Sequence, residues 1–504
     1  MSRAEVLFTD VEFTYEEAAT VLFAGLTFHF PEGWTGIVGA NGAGKTTIMK
    51  LATGELTPDK GSVVGPTKGI YCPQRTDDPP ELLAEMLEDV DGEAYELRGR
   101  LGLEDDWLGR WETLSHGERK RAQIGVALWR EPELLAIDEP TNHIDAEARR
   151  LLAGALRSYR GVGLLVSHDR ELLDGLCRQC LFVEPPGATV RPGGFTVGVE
   201  QGRVEDETAR RQSEIAKREA AKLEREAIRR REEASRSHKR RSKRGLGKDN
   251  DARFKRNRAR ISGKDGVSGR LLRQLDGRLE QAQTRREQIE VKKSYDLGIW
   301  MPEGRSKRDL LLALSAGSLP LGGDRQLHFP DLAMRPDDRI AITGPNGGGK
   351  STLVRHLVER LNVPPERVVY MPQEIDAQQS RSILERARSL PRELLGQTMT
   401  AVSRLGSRPE RLLESAEPSP GEVRKILLAM GIASAPHIVV MDEPTNHLDL
   451  PSIECLEAAL DQCPCGLLLV SHDFRFLQRL ARRRWQIEAD EEGKERLTAG
   501  EGWG

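Results

Sequence analysis

Long apolar runs are absent from these 504 residues. No stretch reaches the roughly 18 apolar residues that a membrane-spanning helix needs. The start, Met1-Ser2-Arg3-Ala4-Glu5, also lacks the apolar core of a secretion signal. These two absences give the expectation of a cytoplasmic protein with no membrane partner. Cysteine is scarce, with six in the whole chain, which excludes a disulfide scaffold. Cys177 with Cys180, and Cys463 with Cys465, lack a matching second pair, so buried thiols are expected there in preference to zinc. A hydrophobic fraction of 38% is too high for a disordered chain and is enough for two to four packed domains.

A charge excess of one sign is missing too, since the net value is only -3. That balance hides a segregation. Residues 201–300 hold 30 Lys and Arg against 17 Asp and Glu, while the rest of the chain holds 46 basic against 62 acidic residues. One basic block between two acidic lobes points to a local contact with a polyanion.

What is present is an internal repeat. Asp138-Glu139-Pro140-Thr141-Asn142-His143 recurs as Asp442-Glu443-Pro444-Thr445-Asn446-His447, 304 residues on. Ser167-His168-Asp169 recurs as Ser471-His472-Asp473 at the same offset, as does Ser115 with Gly117-Glu118 in Ser419 with Gly421-Glu422. Lys45 and Lys350 are 305 apart, and Gln74 and Gln373 are 299 apart. Small slips of this kind are what surface-loop insertions and deletions produce. The chain therefore reads as two copies of one domain, residues 1–202 and 295–504, separated by a basic segment, 203–294.

Each copy carries a phosphate-binding loop in the strand-to-helix context that gives it meaning. Trp34-Thr35-Gly36-Ile37-Val38 leads into Gly39-Ala40-Asn41-Gly42-Ala43-Gly44-Lys45-Thr46-Thr47. Arg339-Ile340-Ala341-Ile342-Thr343 leads into Gly344-Pro345-Asn346-Gly347-Gly348-Gly349-Lys350-Ser351-Thr352. Glycines let the backbone wrap phosphates, the helix N-terminus supplies positive potential, the lysine reaches the terminal phosphates, and the Thr46 or Ser351 hydroxyl ligates Mg²⁺. Downstream, the apolar strands Leu134–Ile137 and Ile438–Met441 deliver Asp138-Glu139 and Asp442-Glu443. An Asp that holds the Mg²⁺ shell, followed by a Glu that polarises the attacking water, fits metal-assisted phosphoryl transfer.

Together with Gln74, Gln373, Leu114-Ser115-His116-Gly117-Glu118 and the strand-end His168 and His472, this order of elements resembles the ATP-binding cassette family. The resemblance implies an α/β fold of two P-loop ATP-binding cassette domains with ATP and Mg²⁺ as cofactors. It also implies that the phosphate loop of one half faces the Ser-Gly signature of the other. Lys45 would then share its nucleotide with Ser419 and Gly421, and Lys350 with Ser115 and Gly117. Glu139 and Glu443 would be catalytic, His168 and His472 would contact the γ-phosphate, and Gln74 and Gln373 would join Thr46, Ser351, Asp138 and Asp442 at the metals. Two departures stand out: His116 replaces the usual Gly, and Pro420 has no N–H to donate. Phe13 and Tyr15 precede the first loop as candidates for stacking on the base, whereas Ser318-Leu319-Pro320-Leu321 holds the matching stretch of the second copy. Unequal hydrolysis and weak purine selectivity at the second site follow as expectations.

Residues of about 205–235 and 268–292 are rich in Glu, Arg, Lys and Ala and contain no proline, which favours long solvated helices. Between them, 12 of the 25 residues Arg236 to Arg260 are basic, and Gly245, Gly247, Gly263 and Gly266 supply a turn. A helical hairpin is expected, with arms of roughly 40 Å at about 1.5 Å per residue. The apolar residues sustain no seven-residue repeat, against a coiled coil. Phe254 is the sole aromatic between residues 201 and 290, so phosphate and shape recognition of folded RNA outweighs base stacking.

Tandem cassettes, the doubled Asp-Glu-Pro-Thr-Asn-His motif, no membrane span and a basic α-helical hairpin linker resemble the ABC-F family of ribosome-associated ATPases. The stretches Gly263-Lys264-Asp265-Gly266 and Arg270 to Leu279 resemble the linker of its bacterial members. That resemblance implies a ribosome partner, with residues 203–294 reaching ribosomal RNA and peptidyl-site tRNA. It also implies a monomeric chain whose cassettes pair internally, acting in translation or in ribosome protection against antibiotics. The other classes are the ATPase pair of a transporter and a nucleic-acid-remodelling cassette protein; the first leaves the basic insert without a role, and the second usually carries longer coiled coils or zinc modules.

Overall fold

The computed structural model describes residues 5–16, 20–66, 68–142, 144, 146–241, 274–284, 305–323, 325–405, 419–446, 448–490 and 494–502. The first copy begins with β1 (Val6–Phe13), β2 (Phe23–Phe30), β3 (Gly33–Gly39), α1 (Lys45–Thr53), β4 (Lys60–Val64) and β5 (Gly69–Cys72). It continues through α2 (Leu83–Glu88), α3 (Gly92–Leu101), α4 (His116–Trp129), β6 (Leu134–Asp138), α5 (Ala146–Ser158), β7 (Val162–Val166), α6 (Arg170–Leu176), β8 (Cys177–Glu184) and β9 (Gly187–Pro192). The main sheet has the order β5-β6-β7-β3-β8-β9. Only β9 runs antiparallel to its neighbour.

This order follows from composition. Both β6 and β7 are buried at every position, as strands covered by helices on both faces require, and their sequences are correspondingly continuous apolar runs. Parallel neighbours need crossover connections, so β3, β6 and β7 all end at the same edge of the sheet. That edge is where ligands bind in open α/β sheets. It receives the phosphate loop after Gly39, Asp138-Glu139 after β6, and His168 after β7. A small antiparallel sheet, β2-β1-β4, closes one side, with Phe8 stacked on Phe28 at 4.7 Å between ring centroids. Leu83, Met86, Trp107, Trp111 and Leu114 form a second apolar cluster that seats the start of α4, and with it Ser115.

The second copy is built from β10 (Leu312–Leu314), β11 (Gly317–Gly322), β12 (Arg325–Phe329), β13 (Leu332–Met334) and β14 (Arg339–Thr343). The helix after its phosphate loop is Lys350–Val358, and β15 (Val368–Met371), β16 (Ile438–Asp442), β17 (Gly466–Val470), β18 (Arg483–Ala489) and β19 (Glu495–Glu501) complete the strands. Its sheet repeats the order of the first as β15-β16-β17-β14-β18-β19, then extends through β12 and β11. The repeat seen in the motifs is thus a repeat of topology, and the fold is two P-loop α/β domains. The thiols of Cys177, Cys180, Cys463 and Cys465 are free and buried. No described helix is long and apolar enough to cross a membrane.

Between the copies, α7 (Phe195–Arg241) runs for 47 residues, starting about ten residues ahead of the stretch that composition marks as helical. The early start has a local cause: Phe195 is buried and stacks on Phe182 at 6.4 Å, and the Thr196 N–H donates to Asp174 Oδ1 at 2.8 Å. The 202/203 boundary therefore falls inside an unbroken helix. Residues 1–198 with 295–504 form one compact unit and 199–294 a second. Within the second, α8 (residues 274–284) is tied to α7 by Arg231 and Asp276 at 2.6 Å. Residues 242–273 and 285–294, including most of the basic Arg236 to Arg260 stretch and the turn glycines, lie outside the described residues.

Close packing of the central strands gives a stability test. A Cβ at Gly163 on β7 would stand 2.5 Å from the Trp34 indole, whereas one at Gly154 on α5 would meet nothing within 4 Å. Gly163→Ala should cost about 1 to 3 kcal/mol through overpacking, and Gly154→Ala should be neutral or stabilise by up to about 1 kcal/mol. Urea unfolding of both variants checks the contrast.

Candidate active site

The phosphate loops are built by glycine. Gly44 caps α1 with φ 90, no side chain caps the helix, and no acidic residue sits in its first turn. Those open N–H groups leave the positive end of the helix facing the loop. A Cβ at Gly44 would approach Phe23 Cζ to 2.5 Å, so both φ and space demand glycine. Gly349 repeats the arrangement with φ 92, again without side-chain cap or first-turn acid. Lys45 Nζ donates to Gly39 O at 2.9 Å and Ala40 O at 3.0 Å, and Lys350 Nζ to Gly344 O and Pro345 O at 2.9 Å each. Burial lowers the Lys45 pKa against the opposing pull of Glu139, Asp449 and Asp138.

The carboxylates meet these loops at the strand ends. Thr46 Oγ1 donates to Asp138 Oδ2 at 2.8 Å, and the Tyr71 hydroxyl donates to the same oxygen at 3.2 Å. In the second copy Ser351 Oγ donates to Gln373 Oε1 at 3.2 Å. Glu139 and Glu443 take φ values of 45 and 50, left-handed and strained for a residue with a side chain. Their N–H groups donate to Val166 O at 2.9 Å and Val470 O at 2.8 Å, which anchors the strain to the next strand. The His168 N–H donates to Glu139 Oε2 at 3.2 Å, and the His472 N–H to Glu443 Oε2 at 3.2 Å. His168 Nε2 stands 3.1 Å from Glu139 Oε1.

Burial governs the protonation of this cluster. It pushes Glu139 up to about 8, with Asp138 adding to the shift, and Glu443 up to about 7. His168 is driven down to about 4, mainly by burial and then by Lys45. Asp442 Oδ1 and His168 Nδ1 are buried without a hydrogen-bond partner among the described residues, and Glu139 Oε1 and Glu443 Oε1 face only the imidazoles of His168 and His472, at 3.1 and 3.4 Å. Native interiors rarely leave such atoms unpaired. A set of acceptors of this kind beside a hydroxyl and a lysine suits a hard divalent cation, a phosphate and a water.

A cavity of about 830 Å³ joins the copies. Its walls include Tyr15, Lys45, Gln74 and Asp138 from the first copy and Ser419 and Gly421 from the second. The matching association of Lys350 with Ser115 and Gly117 is carried by the repeat alone. Ser115 and Ser419 each open a capping box with Glu118 and Glu422. His116 and Pro420 both occupy the first helical position, where a missing N–H costs little because that group has no intrahelical partner. The lack of a donor at Pro420 is thus no obstacle to building the signature.

Tyr15 lies on the cavity wall, 47% exposed, with its hydroxyl 2.8 Å from Thr47 Oγ1. Phe13 does not join it: only 5% exposed, it belongs to the core under β1 and β2, because its side chain falls on the inward face of the strand. In the second copy Leu321 packs where a Cβ on Gly349 would sit, and Arg325 donates to Gly347 O at 2.9 Å. His143 and His447 lie outside the described residues.

Three residues at the sites escaped the motif reading. Asp449 Oδ2 accepts from the Asn41 N–H at 2.7 Å, across the two copies. Lys120 and Arg424 are buried beneath the carboxylate turns. The signal was available, since Asp145 and Asp449, and Lys120 and Arg424, are again pairs 304 apart.

Comparison with known proteins adds the family. The ABC transporter family model matches residues 23–142 and 327–446. The ribosome protection protein VmlR of Bacillus subtilis is 27% identical over 462 residues, covering 88% of this chain and 80% of that protein. ABC transporter F family member 4 of Arabidopsis thaliana is 28% identical over 435 residues, covering 80% of this chain and 57% of that protein. Among solved structures, the archaeal ribosome recycling factor aABCE1, in complex with ribosomal stalk protein aP1, superposes with a TM-score of 0.62 at 20% identity, covering 98% of this chain and 90% of that one.

The buried glutamates carry a pH prediction for the nucleotide-free protein. Their folded pKa values lie above the unfolded value, so the folded state holds extra protons between about pH 4.5 and 8 and loses stability as pH rises through that window. Glu139→Gln removes this loss. Its melting temperature should match the parent near pH 5 and exceed it near pH 8.5, by the equivalent of about 1 to 3 kcal/mol. A difference independent of pH would show that Glu139 is ionised throughout.

Proposed function

We propose that this chain, which belongs to the ABC-F family of tandem ATP-binding cassette ATPases, closes its two cassettes on ATP and in that state engages the ribosome through residues 203–294. The observation that carries the ATP half of this reading is the shared cavity, in which Lys45, Asp138 and Glu139 face Ser419 and Gly421 of the other cassette. Lys45 and the N-terminus of α1 bind the phosphates. Ser419 Oγ and the Gly421 N–H, presented by the opposite cassette, hold the terminal one. Glu139, kept beside His168, orients and polarises the attacking water, and His168 remains neutral and donates or accepts at the γ-phosphate.

Thr46, Gln74 and Asp138 are the residues that would hold Mg²⁺ at this site, and Ser351, Gln373 and Asp442 at the other; the metal would supply neutralisation of phosphate charge. Glu443 and His472 take the corresponding roles beside Lys350, Ser351 and Thr352, with Ser115 and Gly117 from the first cassette. Among the described residues, only the first site offers an aromatic face, Tyr15, to the base. The sites are therefore unequal, with base selectivity concentrated at Lys45.

The ribosomal half of the reading rests on the basic block and on what the named relatives do. A helix carrying excess Lys and Arg serves no need of two ATPase folds, and dense basic charge is what an RNA phosphate backbone recruits. Contact with ribosomal RNA and peptidyl-site tRNA through the insert, in a cytoplasmic monomer, is the form proposed, acting to rescue or protect translating ribosomes.

Replacing Glu139 and Glu443 together by Gln should preserve ATP binding and reduce steady-state turnover by at least about a hundredfold, while raising the fraction that co-sediments with ribosomes in ATP. Turnover near the parental rate would remove both glutamates from the mechanism. Changing Arg240, Arg241, Lys243 and Arg244 to Gln in that trapped form should weaken ribosome binding. The slope of log affinity against log salt should flatten by roughly 0.7 to 0.9 per lost phosphate contact. An unchanged slope would reduce the insert to a spacer.

A further inference from the structure

Arg424 sits on the helix Pro420–Ala433, five residues after Ser419, and is 2% exposed. Its guanidinium bridges two segments of its own cassette. Nη1 donates to Glu443 O at 3.0 Å and Asn446 O at 2.9 Å, and Nη2 donates to Gln373 O. The same position in the first cassette, Lys120, is 1% exposed. Its Nζ donates to Pro73 O at 2.7 Å and Asp138 O at 3.1 Å. Burying a cation is costly unless its donors are met, and an apolar side chain would fill a helix-to-sheet contact more cheaply. In both copies the charge is spent on the carbonyls of the glutamine loop and the carboxylate turn.

The other end of this helix belongs to a different site. Ser419 and Gly421 line the cavity that holds Lys45, whereas Gln373 and Glu443 attend Lys350. One rigid helical segment, rising about 7.5 Å over five residues, therefore has its N-terminus in one nucleotide site and its guanidinium locked to the other. We propose that Arg424 is a positioning residue that couples the two nucleotide sites, transmitting displacement of the Gln373 loop and Glu443 turn at the Lys350 site to Ser419 and Gly421 at the Lys45 site. Lys120 does the same in the opposite direction. The proposal rests on the reading of the cavity as a composite ATP site. It needs no change in protonation, because the link is mechanical: donors fixed on carbonyls of two segments move the helix with them.

The test uses the full chain with one site silenced at a time. In Glu443→Gln, turnover comes from the Lys45 site while the Lys350 site holds nucleotide. Adding Arg424→Met there should lower kcat by about tenfold or more with KM for ATP changed less than about twofold, although Arg424 touches nothing at the Lys45 site. Arg424→Lys should restore at least part of that rate, since it keeps the charge and some of the donors. A loss confined to the Glu139→Gln background, in which only the Lys350 site turns over, would overturn the coupling and leave Arg424 a local brace. Should Arg424→Met melt early, Arg424→Lys and Lys120→Arg serve instead: a kcat change at the opposite site supports the proposal, and one restricted to the residue's own site overturns it. Undiminished turnover in Ser419→Ala with Glu443→Gln would defeat the composite-site reading itself, whatever Arg424 does.

Discussion

Everything at these sites depends on holding two adjacent carboxyl groups out of water at the end of a buried strand. Asp138 and Glu139 stop β6 at the sheet edge with no exposed face to solvate them, and Asp442 and Glu443 repeat this in β16. Desolvation raises the glutamate pKa values and makes every nearby donor valuable. The responses are visible around them: Thr46 and Tyr71 on Asp138, backbone N–H groups on Glu139 and Glu443, and buried cations beneath both turns. A carboxylate in such a place is unstable alone and useful beside phosphate, metal and water. The site stores at Glu139 and Glu443, in left-handed backbone and raised pKa, what the rest of each fold offsets.

The parallel sheet is the means by which distant parts of the sequence meet at that edge. Residues 39, 138 and 166 are far apart along the chain, yet β3, β6 and β7 are neighbours with a common direction. Because β6 and β7 carry no polar residues before their ends, their register is set by packing, and the chemistry is confined to the positions where packing stops. This is why the motifs tolerate loops of different length between them while keeping one geometry.

Much of this was legible from residues alone. The 304-residue offset exposed the duplication, and the strand-loop-helix order around Lys45 and Lys350 gave the domain class before any coordinates. Legibility failed where a residue acts through its side-chain direction. Phe13 and Tyr15 look interchangeable in sequence, but Phe13 is the last residue of β1 and packs into the core, whereas Tyr15 lies past the end of the strand, on the cavity wall. Lys120 and Arg424 are marked in the sequence only by the 304-residue offset, because burial of a cation has no signature of its own until the accepting carbonyls are placed. Asp449 lay just past the end of the recognised motif, and its partner, the Asn41 N–H, is 408 residues away. The start of α7 at Phe195 was hidden because an aromatic anchor, not helix propensity, determines it.

Fusion of the two copies on one chain lets their shared surface diverge in ways an identical pair could not. Arg170 of the first cassette donates to Glu457 and, at 3.0 Å, to Asp473 of the second, in a contact that leaves the Glu457 side chain only 2% exposed. The position equivalent to Arg170 in the second cassette is Phe474, and the residue equivalent to Asp473, Asp169, is engaged by Arg149 of its own cassette. One half of the surface therefore joins the cassettes through buried charge and the other half does not. A second link on the same side, Arg475 to Asp174 at 2.7 Å, again has no mirrored equivalent, because Glu171 and Gln478 stand at those positions. The cassettes therefore touch through this charged cluster, whereas between the Tyr15 and Ser419 walls the cavity divides them. The asymmetry of the cavity wall at Tyr15, of the cation under each carboxylate turn, and of the inter-cassette charge all distinguish the same two halves, and together they make the sites physically distinct without any change in the motifs that both share.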